Sequence, residues 1–107
     1  MKWFISQPMR GKSNDEIKEE RNNIIASIKK LDPNAQVIDS FFKNAPHEAN
    51  PVWFLSKSIS LLADADAALF ANDFGAARGC RIELTICKEY GIPYYWIDNA
   101  GTMVEMR

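Results

Sequence analysis

Apolar residues along this chain come in short blocks, and between them lie longer segments whose apolar positions recur at helical spacing. Trp3 to Ser6 is the first block, stopped by Pro8 and Gly11, as a buried strand running into a loop would be. Ser13 and Glu16 then have the spacing of a capping box, which predicts a helix start. Ile17, Ile24, Ile28 and Leu31 follow at helical intervals. Asp15 and Glu16 open this helix and Lys29 and Lys30 close it, in line with its dipole, before Asp32-Pro33-Asn34 ends it. Gln36 to Asp39 is a second short strand, and the aperiodic stretch Phe41 to Asn50, with Pro46, is a candidate functional loop. Asn50-Pro51 matches an N-cap with proline at the first helical position, and Leu55, Ile59 and Leu62 supply a stripe ending near Ala63. Asp66 to Ala71 forms a third strand, Asn72 to Gly79 a loop, Arg78 to Tyr90 a helix, and Pro93 to Ile97 a fourth strand after Gly91. Asn99-Ala100-Gly101 either turns the chain into an edge strand, Met103 to Met106, or leads into a frayed tail.

Strands alternate with helices, which predicts an α/β fold: one small three-layer domain over residues 1–107, flavodoxin- or Rossmann-like. Its mainly parallel sheet has four to five strands, with ligands beyond the strands' carboxyl ends. With 107 residues, 47% of them hydrophobic, the chain can bury a core without metal or disulfide. A net charge of −1, from 13 basic and 14 acidic residues, offers no general attraction for nucleic-acid polymers or anionic membranes. The apolar start is too short for a signal peptide and no run reaches transmembrane length, so a cytoplasmic protein is expected. Cys80 and Cys87 on one helix would stand ~10 Å apart along its axis, beyond the ~7 Å disulfide limit. One histidine, His47, gives no ligand set for zinc, and no metal or cofactor is expected.

The most informative position is Glu83. At about 100° per residue, Gly79, Cys80, Ile86, Cys87 and Tyr90 fall within about 60° of it, while Arg78, Arg81, Thr85, Lys88 and Glu89 fall on the far side. One carboxylate therefore sits inside an apolar stripe, which requires either a structural partner or a chemical use. Its closeness to the helix start favours an anion, and Gly79 one turn earlier leaves room for a ligand. The loop Ser6-Gln7-Pro8-Met9-Arg10-Gly11-Lys12-Ser13 is not a P-loop, because Ser6 stands where glycine is needed and Pro8 lacks an N–H. It either holds one phosphate or ribose at a helix N-terminus or is a solvated turn. Weaker signals are Arg78 and Arg81 near a helix start, the aromatics Phe41, Phe42, Trp53 and Phe54, and Asp64 and Asp66 about the third strand.

Together these residues resemble nucleoside 2-deoxyribosyltransferase-like proteins over about Phe4 to Ile97. The matching segments are Phe4-Ile5-Ser6-Gln7-Pro8-Met9-Arg10-Gly11, Ala65-Asp66-Ala67-Ala68-Leu69-Phe70, Arg78-Gly79-Cys80-Arg81-Ile82-Glu83 and Tyr90-Gly91-Ile92-Pro93. The likeness is to a compact bacterial and phage branch. It implies Glu83 as the nucleophile on an anomeric carbon, with Asp66 as a second catalytic carboxylate. Ser6, Gln7, Pro8, Met9, Arg10, Gly11, Ser58, Asp73 and Gly79 would surround the substrate, in a homodimer or higher homo-oligomer. One departure stands out: relatives carry a catalytic aspartate eight residues before the strand aspartate, and Ser58 occupies that position here. Serine cannot replace a carboxylic acid as proton donor to a leaving base. Asp64, Asp73 or the ligand would then have to supply the proton.

The expected function is cleavage or transfer at the N-glycosidic bond of a nucleoside or nucleotide. The alternative is a nucleotide-binding protein without catalysis, a sensor or sponge for a nucleotide signal. A purely structural interaction domain would leave Glu83 without a role.

Overall fold

In a computed structural model, which describes residues 1–39 and 50–106, side-chain alternation along the first strand (β1, Lys2–Ser6) sorts the core into two halves. Trp3 and Ile5 join one apolar cluster with Ile24, Ile28, Ala67, Leu69 and Ile97. Phe4 joins the other, with Leu62, Ala68, Phe70, Cys87 and Tyr94. The first helix (α1, Asn14–Leu31) covers the first face. The second (α2, Pro51–Leu62) and third (α3, Arg78–Tyr90) cover the opposite one. The result is the three-layer, flavodoxin-like arrangement that the pattern predicts.

Between the helices run β2 (Gln36–Val37), β3 (Ala67–Phe70), β4 (Tyr94–Ile97) and β5 (Met103–Glu105), in sheet order β2-β1-β3-β4-β5. The first four are parallel, with Ser6 opposite Phe70 at the carboxyl ends of β1 and β3, and β5 is antiparallel. All four residues of β3 are buried, as the central strand of a parallel sheet should be. Burying a side chain such as Phe70 contributes about 1.5–3 kcal/mol. Among the described residues, no helix is long and apolar enough to cross a membrane.

The helix starts follow local chemistry. Ser13 Oγ accepts the Glu16 N–H at 3.1 Å while Glu16 Oε1 accepts the Ser13 N–H at 3.3 Å, completing the capping box. Asn50 Oδ1 accepts the Trp53 N–H at 2.9 Å, with Pro51 next in the helix. Gly91, in the left-handed region at φ 70°, ends α3.

Three expectations shift and one open alternative is decided. β2 stops at Val37 rather than Asp39, because the Ile38 carbonyl accepts the Arg21 guanidinium at 2.8 Å. The loop after β3 contains a 3-10 turn, Phe74–Ala76. The chain end is an edge strand: Asp98 Oδ1 accepts the Ala100 and Thr102 N–H groups and fixes the turn. Tyr90, placed by periodicity in the buried stripe, is 80% exposed, as is most of Leu31, because both sit in the last turn of their helices.

Candidate functional site

β1 and β3 are neighbours in the sheet, but their chains depart in opposite directions, one to α1 and β2, the other to α3 and β4. The two departing loops separate at the carboxyl ends and open a crevice, the usual ligand position in such sheets. Here it is a cavity of about 480 Å³, bounded by the loop after β1, the loop after β3, the start of α3 and one side of α2.

Glu83, in the second turn of α3, lines this cavity and is only 5% exposed. Ser6 shares the strand face of Phe4 and so points at α3, where its Oγ donates to Glu83 Oε1 at 2.8 Å. Among the described residues this is the only hydrogen-bond partner of the carboxyl group. Burial pushes the Glu83 carboxyl from 4.5 up to about 7, with the Ser6 hydroxyl pulling the other way. The flanking thiols of Cys80 and Cys87 are also pushed up, to about 11, first by burial and in part by the Glu83 charge. They remain protonated and give the carboxyl an apolar surround.

Across the cavity a polar brace joins the loops. Lys12 Nζ donates to Asp73 Oδ2 at 2.8 Å and to both oxygens of Glu20 at 3.2 Å. Burial alone would lower the Lys12 pKa, but these hydrogen bonds and charges raise it overall. Gln7 Nε2 donates to the Ile17 carbonyl at 3.0 Å and to Glu20 Oε1 at 2.8 Å, tying the loop to α1. Among the described residues, Gln7 Oε1 and Asp73 Oδ1 are buried and find no partner.

Of the residues singled out in sequence, Gln7, Pro8, Met9, Arg10, Ser58, Asp73, Gly79 and Glu83 line the cavity together, and Ser6 backs it. Arg78 lines it too, whereas Arg81 donates to the Gly75 carbonyl at 2.7 Å and braces the 3-10 turn. Gly11 serves the turn: its φ of 81° lets the Lys12 N–H reach the Met9 carbonyl at 3.2 Å. A methyl at Gly79 would meet Leu55 Cδ1 at 3.7 Å, an ordinary contact, so this glycine presents backbone to the cavity without being sterically required.

Asp66 is corrected. Its Oδ2 accepts the Lys2 N–H at 2.7 Å, at the amino end of the sheet. Ser6 ends the same strand four residues later, roughly 13 Å away at strand rise. The two carboxylates expected to work together thus lie at opposite ends of the sheet, and Asp66 caps a strand. Asp64 lies by the same amino end, beside Lys2 and Gln36. Phe41, Phe42, His47 and most of the candidate loop are outside the described residues. Of the aromatics on α2, Phe54 lines the cavity and Trp53 packs edge-on against it, ring centroids 5.0 Å apart.

Sequence reasoning missed Glu20 and Leu55, which look like ordinary helix-surface and helix-stripe residues. Lys12, in the loop read as either a phosphate or ribose holder or a solvated turn, has its ammonium paired with two carboxylates. A larger hollow, about 660 Å³, lies between α1 and the β4–β5 turn but does not contain Glu83. Among the described residues no group of three or more His, Cys, Asp or Glu side chains could hold a metal ion. Compared with protein-family profiles, curated proteins and solved structures, the chain matches none.

Proposed function

We propose that the protein binds a nucleoside or nucleotide in the cavity between the β1 and β3 loops and cleaves or transfers at its N-glycosidic bond, with Glu83 as nucleophile. The observation that carries this reading is the buried Glu83 carboxyl, held through Oε1 by Ser6 while the residue faces a ligand-sized cavity. A salt bridge would explain a buried glutamate without chemistry, yet among the described residues no cation pairs with it. Glycosidic cleavage passes through an oxocarbenium-like state, which a carboxylate can stabilise or trap. Arg10 and Arg78 line the same cavity and suit a phosphate. Buried acceptors without partners cost about 1–3 kcal/mol each, so Gln7 Oε1 and Asp73 Oδ1 favour a ligand rich in hydroxyl donors.

Ser58 supports a second reading. It lines the cavity where relatives in the resembling family carry an acid, and a binding protein without catalysis needs none. Incubation with a panel of nucleosides and nucleotides, followed by chromatography for free base, separates the two. Base released by the wild type and lost in Glu83→Gln is the expected result. A ligand bound tightly and recovered intact from both proteins would leave the binding protein standing.

A further inference from the structure

The titratable side chains lining the cavity, among the described residues, are Arg10, Lys12, Asp73, Arg78, Cys80 and Glu83. Ordinary nucleosides need a proton donor, because their bases leave poorly as anions. A guanidinium does not give up its proton in proteins, which removes Arg10 and Arg78. The Lys12 ammonium is held by two carboxylates. Asp73 Oδ2 is engaged by that ammonium at 2.8 Å. Cys80 is 4% exposed, and its thiol, in contact with Ser6, is pushed up to about 11, chiefly by burial. The hydroxyl of Ser58 is too weak an acid. Among the described residues the cavity thus pairs the proposed nucleophile with no acid.

From this census we infer that the substrate is a nucleotide whose base already carries positive charge at the glycosidic nitrogen, a pyridinium nucleotide, so that the base leaves without being protonated. The inference rests on Glu83 acting as nucleophile. A carboxylate oxygen of Glu83 forms a bond to the anomeric carbon while the carbon–nitrogen pair goes to the ring nitrogen. Anion and cation thereby become a neutral glycosyl ester and a neutral pyridine. Water then adds to the anomeric carbon, the carboxylate departs, and one proton is released to solvent. The surroundings match such a substrate. A buried carboxylate without a counter-ion is costly, and a bound cation offsets that cost where a neutral base would not. Phe54 gives the cavity an aromatic wall suited to a flat cation, and Arg10 and Arg78, which make no ion pair among the described residues, suit its phosphate.

The test compares base release from nicotinamide mononucleotide with that from inosine and uridine monophosphates, each rate divided by the uncatalysed rate of the same compound. General acid catalysis contributes about 10²–10⁴-fold, so the enhancement for the pyridinium nucleotide should exceed the others by about that factor and vanish in Glu83→Gln. Equal enhancements for charged and neutral bases would overturn the inference, wherever the acid came from, while leaving the glycosidic reading intact. No release from any of the three, with each recovered intact, would end both.

Discussion

Glu83 joins the proposed chemistry and a pH dependence of stability in one side chain. Burial raises its carboxyl from 4.5 to about 7, so the folded protein holds that proton more tightly than the unfolded chain. The stabilisation is fully present below about pH 4.5 and is lost as pH rises through about 7, a change of about 3 kcal/mol. Glu83→Gln keeps an acceptor for Ser6 and removes the titration. Its melting temperature at pH 8 should equal or exceed that of the wild type, and the gap should shrink by pH 5. Thermal denaturation at the two pH values reads this directly, and a substantially lower melting point at pH 8 would instead indicate a structural carboxylate. The proposed reaction runs the other way: it needs Glu83 ionised, so kcat/KM should rise with pH through about 7. Ser6→Ala removes the Ser6 hydrogen bond, which favours the ionised form, and should move that inflection upward, visible in a pH–rate profile. Ser58→Asp places an acid in the cavity and should accelerate release of neutral bases, by up to the ~10²–10⁴-fold that such an acid contributes, in the same chromatographic assay.

Among the elements, the loop between β1 and α1 contributes most to the site, and its two ends are fixed by different means. The capping box sets the helix start, and Gly11 sets the turn before it. A Cβ at Gly11 would meet nothing within 4 Å, so the cost of Gly11→Ala comes from its positive φ alone, about 1–2 kcal/mol. Gly79→Ala is the contrasting case, since a helical position with an ordinary 3.7 Å contact should gain up to ~1 kcal/mol from propensity. Denaturant titration of both variants should give changes of opposite sign. The elements themselves were legible because their signals are local. Helix starts depend on residues three apart, and α3 runs from Arg78 to Tyr90 as its periodicity implies. Boundaries failed where a distant group intervened, as at Ile38, whose carbonyl Arg21 takes from the edge of the sheet.

At the scale of the whole molecule, apolar residues remain uncovered at the cavity and on the two helices that bound it. Met9 and Phe54 at its wall are exposed, and so are Val52 on α2 and Ile82 on α3. Exposed apolar area of this kind beside a site is expected to be shared between copies of the chain. Light scattering at micromolar concentration should give a mass above that of one chain, and Phe54→Ser should lower it. A monomer at high micromolar concentration would place the whole site within one chain.

The sequence by itself determined the order of strands and helices and the presence of a carboxylate in an apolar stripe, because periodicity and capping act over a few residues. Tertiary structure decided what that carboxylate meets. Ser6 lies 77 residues from Glu83, and only the adjacency of β1 and β3 beneath α3 brings the two within 2.8 Å. The same folding carried Asp66 to the opposite end of the sheet and used the Lys12 charge on Asp73 and Glu20. Which end of a strand a residue occupies, and which loop faces it there, depends on how the sheet is wound rather than on any local pattern.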